Sequence, residues 1–174
     1  MRKASVLAAI VLSTFIGATA CNDNDPNGVD DDEDFVALLT TANEIPAPTG
    51  SSTATANADL ELEDRVLTVR IVVTGNLTSG VTMAHIHGPA TSTTTGNIML
   101  DFVPAMTSAI NAGLRTGTIL TATYDLDALP VSATGVLRVD ANTLIETMNS
   151  GQAYVNVHTV LNPAGELRGT IVHD

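Results

Sequence analysis

Tryptophan is absent from this 174-residue chain, cysteine occurs once, aromatics make up 3% and Lys and Arg together number seven. Each scarcity excludes something. A single cysteine can build neither an internal disulfide nor a zinc site of several thiolates. Seven bases against 19 acids give a net charge of −12, which repels phosphate and excludes nucleic acid as a partner. Charged residues are only 15% and hydrophobic ones 44%, so the chain is neither a disordered acidic activator nor a coiled coil. The chain also lacks a Gly-rich phosphate loop, a G-x-S-x-G elbow and an H-E-x-x-H pair, so no catalytic residue is assigned and no enzyme is expected. Its length suits one domain that buries roughly two-thirds of its unfolded surface.

What is present begins with an address. Arg2 and Lys3 precede an apolar run over 4–16, followed by Gly17-Ala18-Thr19-Ala20 and then Cys21. Basic start, apolar centre and small-residue exit are the layout of a secretory signal peptide over 1–20. Ala18-Thr19-Ala20-Cys21 resembles the lipobox of bacterial lipoproteins, with Ala18 where Leu is more usual. A secreted protein has little use for one unpaired thiol, so Cys21 is expected to carry lipid and to anchor the chain to a membrane outside the cytoplasm. Residues 22–34 hold seven acids and no base, which makes 21–34 a solvated tether rather than a calcium loop. Cleavage before Cys21 would remove Arg2 and Lys3 and leave five bases against 19 acids, a net charge of −14, half of which (−7) belongs to residues 22–34.

From Phe35 to the end at residue 174 the texture becomes short β-branched runs between Gly, Pro, Asn and Asp. Strands are expected at 35–39, 53–62, 66–74, 81–87, 97–102, 116–124, 136–139, 153–158 and 166–172. In the second, Ala54, Ala56, Ala58, Leu60 and Leu62 share a face; in the third, Leu67, Val69, Ile71 and Val73 do. One helix is expected at 141–149, capped by Asp140 and ended by Gly151. The fold class is all-β, an antiparallel sandwich or barrel with one short helix.

Three of the four histidines fall in two related places. His85 and His87 lie in MAHIHGPA and His158 in YVNVHT. Residues two apart on a strand share a face, so Met83, His85 and His87 lie opposite Ala84 and Ile86, and Tyr154, Asn156 and His158 opposite Val155 and Val157. The aliphatic faces should meet the core and the imidazoles point away from it. The two stretches echo each other, His87 matching His158 and His85 matching Asn156, which would bring the strand ends together and the imidazoles under the loops 88–97 and 159–165. Three imidazoles suit copper or zinc, with Met83 or Glu166 as nearby auxiliaries; equally, they could pin loops by bonding carbonyls. His173 is expected to fray, and Glu166 to pair with Arg168.

Asn43-Glu44-Ile45-Pro46, AHIHGPA at 84–90, YVNVHT at 154–159 and NPAGELRG at 162–169 together resemble the CHRD domain across about 35–172. Ile45, Ala47 and Thr170 depart from its usual residues. The resemblance implies an extracellular Greek-key or immunoglobulin-like β domain, most of whose bacterial members lack an assigned activity. A looser likeness is to copper-zinc superoxide dismutase, whose H-x-H strand holds copper; a fourth and a bridging His are missing here. Two readings follow: a non-enzymatic binding or structural module tethered in the cell envelope, its protein or small-ligand partner unspecified, or a copper- or zinc-binding protein using His85, His87 and His158. The Thr-rich loop 91–95 has no assigned role.

Overall fold

The computed structural model describes residues 33–50 and 52–174; the expected signal peptide, Cys21 and the tether as far as residue 32 lie outside the described residues, whereas Glu33 and Asp34, expected to end the tether, pair with Leu62 and Glu61 in the first strand. Nine strands form one curled antiparallel sheet: β1 (Glu33–Thr40), β2 (Thr55–Glu63), β3 (Val66–Thr74), β4 (Val81–Gly88), β5 (Asn97–Asp101), β6 (Gly117–Asp125), β7 (Tyr154–Thr159), β8 (Leu167–Thr170) and β9 (Val172–His173). Their order is β5-β4-β7-β8-β1-β2-β3-β6, with β9 beside β1. β6 returns to β3 after the β4–β5 hairpin, β7 crosses to β4, and β8 lies against β1; these non-sequential neighbours are Greek-key crossovers. The all-β reading holds.

The alternation seen in the sequence decides which face is buried. Ala56, Ala58, Leu60 and Leu62 of β2, and Leu67, Val69, Ile71 and Val73 of β3, are at most 2% exposed, and they join Phe35, Ala37 and Leu39 of β1 in one core. β2 and β3 are joined through Asp64 and Arg65, both at positive φ (48° and 64°), which is the two-residue turn that matches strand twist. The helix α2 (Ala141–Asn149) forms as expected. Asp140 accepts from the Thr143 N–H at 2.9 Å, Leu144, Ile145 and Met148 are buried, and Gly151 follows at φ 65°.

Three elements differ from expectation, the first being the strand expected at 166–172, which is broken at Ile171 into β8, beside β7, and β9, beside β1. The segment 136–139 is not a strand; Leu137 makes a bridge to Leu100, while Asp101 N–H donates to Val136 O and Arg138 N–H to Met99 O. It covers the free edge of β5, a common way of blunting an edge. A short helix α1 (Thr107–Asn111), preceded by a 3-10 turn at Val103–Ala105, was not anticipated, since five residues are too few to show a helical period.

The closure of β8 onto β1 tolerates no side chain at Gly169, because a Cβ there would lie 2.5 Å from Leu38 O and 2.7 Å from Leu38 C. Gly169→Ala is expected to cost about 1–3 kcal/mol through forced separation of the strands. Urea unfolding checks this; an unchanged midpoint would mean that the two strands part without penalty.

Candidate metal centre

Strands β4 and β7 pair antiparallel with His85 opposite Asn156, His87 opposite Tyr154 and Met83 opposite His158. Ala84, Ile86, Val155 and Val157 face the apolar core at 0% exposure, as their alternation requires. The opposite face was expected to point away from the core, and it does, but it is not open to water. His85 is 3% and His158 6% exposed, and every residue of β7 is buried. At β4 and β7 the sheet is thus covered on both faces, by aliphatic side chains on one and by a polar layer on the other.

That layer runs across four ladders. Asp101 of β5, His85 of β4, Asn156 of β7, Arg168 of β8 and Thr40 of β1 are successive register partners. Side chains facing each other across neighbouring strands are within reach, so one row brings an acid, an imidazole, an amide and a guanidinium together.

The sequence echo has a structural meaning, though not the one expected. The strand ends do not come together: antiparallel pairing sends His87 and His158 in opposite directions from the His85–Asn156 pair, roughly 13 Å apart along the strands. They are related by a local two-fold through that pair, and their rings lean inward until the centroids lie 6.3 Å apart. His85 fills the middle, with centroids 5.3 Å from His87 and 4.9 Å from His158. One ring nitrogen from each of the three lies within 4.8 Å of the others, so all three fall within roughly 2.8 Å of a common point.

The partners of each ring assign its tautomer. His87 Nδ1 sits 3.0 Å from Gly96 O, and His158 Nδ1 sits 3.0 Å from Pro163 O. A carbonyl only accepts, so both rings carry the proton on Nδ1 and a lone pair on Nε2. His158 Nε2 takes a hydrogen bond from His85 Nδ1 at 3.1 Å. His87 Nε2 is buried and has no hydrogen-bond partner. Loop pinning and metal ligation would therefore use different nitrogens of the same ring, so the carbonyl bonds by themselves decide for neither reading.

Burial keeps the cluster neutral. It pushes His85 down to about 4, with the neighbouring His158 adding to the effect and Asp101 opposing it. Burial likewise takes His87 down to about 4 against the pull of the Gly96 carbonyl, and it lowers His158 despite the Pro163 carbonyl. Neutral imidazole is the form that binds metal.

Residues beside the histidines complete the surroundings. Tyr154 stacks on His87 (centroids 5.1 Å, planes 7° apart), and the Arg168 guanidinium lies 3.6 Å from the centre of the Tyr154 ring. Arg168 donates to Thr91 O and Thr94 O at 2.8 Å each, which clasps the Thr-rich loop over the layer. Glu44 is buried, its carboxyl raised by desolvation, and accepts from Asn156 Nδ2 and from its neighbour Ile45 N–H. A Cβ at Gly165 would strike both the Glu44 carboxylate and the Asn156 amide. Glu166 does not pair with Arg168. Its carboxylate accepts from Thr78 N–H (2.7 Å) and Oγ1 (2.5 Å), Thr159 Oγ1 (2.7 Å) and Asn162 Nδ2 (3.1 Å), bonds that hold it low although burial alone would raise it. Glu166 fixes the loop that presents Pro163 and is not grouped with the imidazoles, whereas Met83 stands directly opposite His158 in the β4–β7 ladder. Nor does His173 fray: it pairs with β1 opposite Phe35, with Nδ1 3.2 Å from the Glu33 carboxylate.

Asp101 and Glu44 carried no role at the sequence level. For Asp101 the available signal was an acid closing the apolar strand NIMLD; for Glu44 it was only membership of a motif.

Imidazoles held neutral by the fold make stability acid-sensitive. The unfolded chain gains protons below its ordinary histidine value of 6.5, whereas folded His85 and His87 resist until about 4. Their stabilisation is fully present above pH 6.5 and is lost as pH falls from there to about 4. The urea midpoint of metal-free protein should drop across this window, and a His85→Gln/His87→Gln variant should drop less. Parallel declines in the two proteins would contradict the assignment.

No curated protein and no solved structure matches this chain significantly. The CHRD domain matches residues 35–171, which takes in every element from β1 to β8 and all three clustered histidines. The chain belongs to the CHRD domain family.

Proposed function

We propose that this protein is a cell-envelope lipoprotein, anchored through Cys21, whose CHRD domain is a non-enzymatic binding module that holds a copper or zinc ion on His85, His87 and His158. The observation that carries the metal reading is the buried Nε2 of His87, left without a hydrogen-bond partner in a cluster of three imidazoles, each with a ring nitrogen within 4.8 Å of the others. A buried acceptor with no donor costs about 1–3 kcal/mol, and a cation at that point relieves it. The set is all imidazole, which suits zinc and copper rather than calcium or magnesium. Two of the ligands donate their other N–H to backbone carbonyls, the support that metal-bound histidines ordinarily have. Three protein ligands leave a fourth position on the ion for an outside group.

The anchoring rests on the lipobox-like Ala18-Thr19-Ala20-Cys21 and on the acidic stretch behind it, which would hold the domain off an anionic surface. A second reading, a metal-free structural module, is favoured by the same carbonyl bonds, since they already pin both loops.

Calorimetric titration of chelator-treated protein with Zn²⁺ and Cu²⁺ separates the readings. Expected is one ion per chain, lost or weakened at least tenfold in His87→Ala and in His158→Ala, with about 2.7 kcal/mol of added stability at a hundredfold excess over Kd. Uptake that is absent, or unchanged in both variants, would leave the structural module. For the anchor, labelled palmitate should enter the wild-type chain and not Cys21→Ser; equal labelling would remove Cys21 as the lipid site.

A further inference from the structure

Two of the three imidazoles already carry the tautomer that a ligand at this point needs, and the third does not. His87 and His158 keep their protons on Nδ1, against carbonyls, which leaves a lone pair on each Nε2; that of His158 faces His85, and that of His87 is buried without a hydrogen-bond partner. His85 has its Nδ1 inward, but that nitrogen bears a proton and donates it to His158 Nε2 at 3.1 Å. Two nitrogens on one tetrahedral ion stand about 3.3 Å apart when each bond is about 2.0–2.1 Å. The hydrogen-bonded pair is therefore already at ligand spacing, with a proton where coordination would need a lone pair.

The outer side of His85 shows where a proton can be held instead. His85 Nε2 lies 3.7 Å from Asp101 Oδ1, too far for a hydrogen bond and as expected where a ring lone pair faces a carboxylate. Asp101 is fixed in that position. Its Oδ2 accepts from Arg138 Nη2 at 2.7 Å and its Oδ1 from Val103 N–H at 2.9 Å, while Arg138 is itself held by Gly135 O. A carboxylate so clamped next to an imidazole favours the tautomer with N–H pointing at it.

We infer that Asp101 is the positioning residue that lets His85 become a ligand, by stabilising its Nε2–H form when Nδ1 is given to a metal ion. This rests on the metal reading proposed above. The proton balance is simple. One proton leaves Nδ1 for solvent and one arrives at Nε2, so the ring stays neutral and the hydrogen bond to His158 is exchanged for one to Asp101. His87 and His158 need no such exchange, because the Gly96 and Pro163 carbonyls hold their protons throughout.

Long-range ¹H–¹⁵N spectra of the full domain, recorded before and after addition of Zn²⁺, test this together with zinc titration of Asp101→Asn. Expected are Nδ1–H signals for all three rings without metal and a change to Nε2–H at His85 alone with zinc bound. Removing the carboxylate charge should weaken zinc binding by about 10–100-fold. The inference is overturned if zinc binds while His85 keeps its Nδ1 proton, or if Asp101→Asn binds as tightly as wild type. Wild-type protein that takes up no zinc would instead overturn the metal reading, and this inference with it. Should Asp101→Asn fail to fold, the wild-type tautomer change decides by itself.

Discussion

Two hydrogen bonds of one kind, His87 Nδ1–H to Gly96 O and His158 Nδ1–H to Pro163 O, hold the loops, the tautomers and the orientation of the cluster at once. Each closes a loop onto the strand that precedes it, and the two are related by the local symmetry of the β4–β7 pair. Because a carbonyl only accepts, the bond leaves the Nε2 of each ring with its lone pair. Because the loops then cover the rings, burial disfavours the charged form and keeps the imidazoles neutral. Loop structure, ring chemistry and electrostatics thus follow from one contact made twice.

A polar layer where the strands are buried on both faces, as at β4 and β7, is costly unless nearly every group finds a partner. Glu166 meets that condition in full, with four hydrogen bonds to its two oxygens. Elsewhere the network is incomplete: Asn156 Oδ1, Arg168 Nη1 and His87 Nε2 are buried without a hydrogen-bond partner among the described residues. An apolar layer of the same volume would be at least as stable. Three of the buried unpartnered atoms stand in this layer, next to the three imidazoles, where the fold keeps polar groups in position at a cost in stability.

Much of the fold was legible because alternation is a local property. Leu67, Val69, Ile71 and Val73 share a face whatever lies above them, and Asp140 caps a helix using only its own neighbours. The failures involve longer range. Residues 136–138 have the composition of a strand, yet whether they make a full ladder or a single bridge depends on what β5 offers at its edge. Glu166 and Arg168 share a face in sequence, but Thr78, more than eighty residues away in the chain, takes the carboxylate, and the carbonyls of the Thr-rich loop take the guanidinium. Competition among distant partners is invisible in a strand read by itself.

The sequence by itself determined the family, the all-β class, the parity that puts His85, His87 and His158 on the non-aliphatic face, and the division of charge between the acidic stretch and the domain. Parity and composition need only the period of a strand and a count of acids. The tertiary structure decided that this face is buried, that His87 and His158 lean together from opposite directions along the ladder, and that Asp101, Asn156 and Arg168 stand in one row with His85. Register between strands far apart in sequence sets those neighbours, and register is fixed by the packing of the whole sheet.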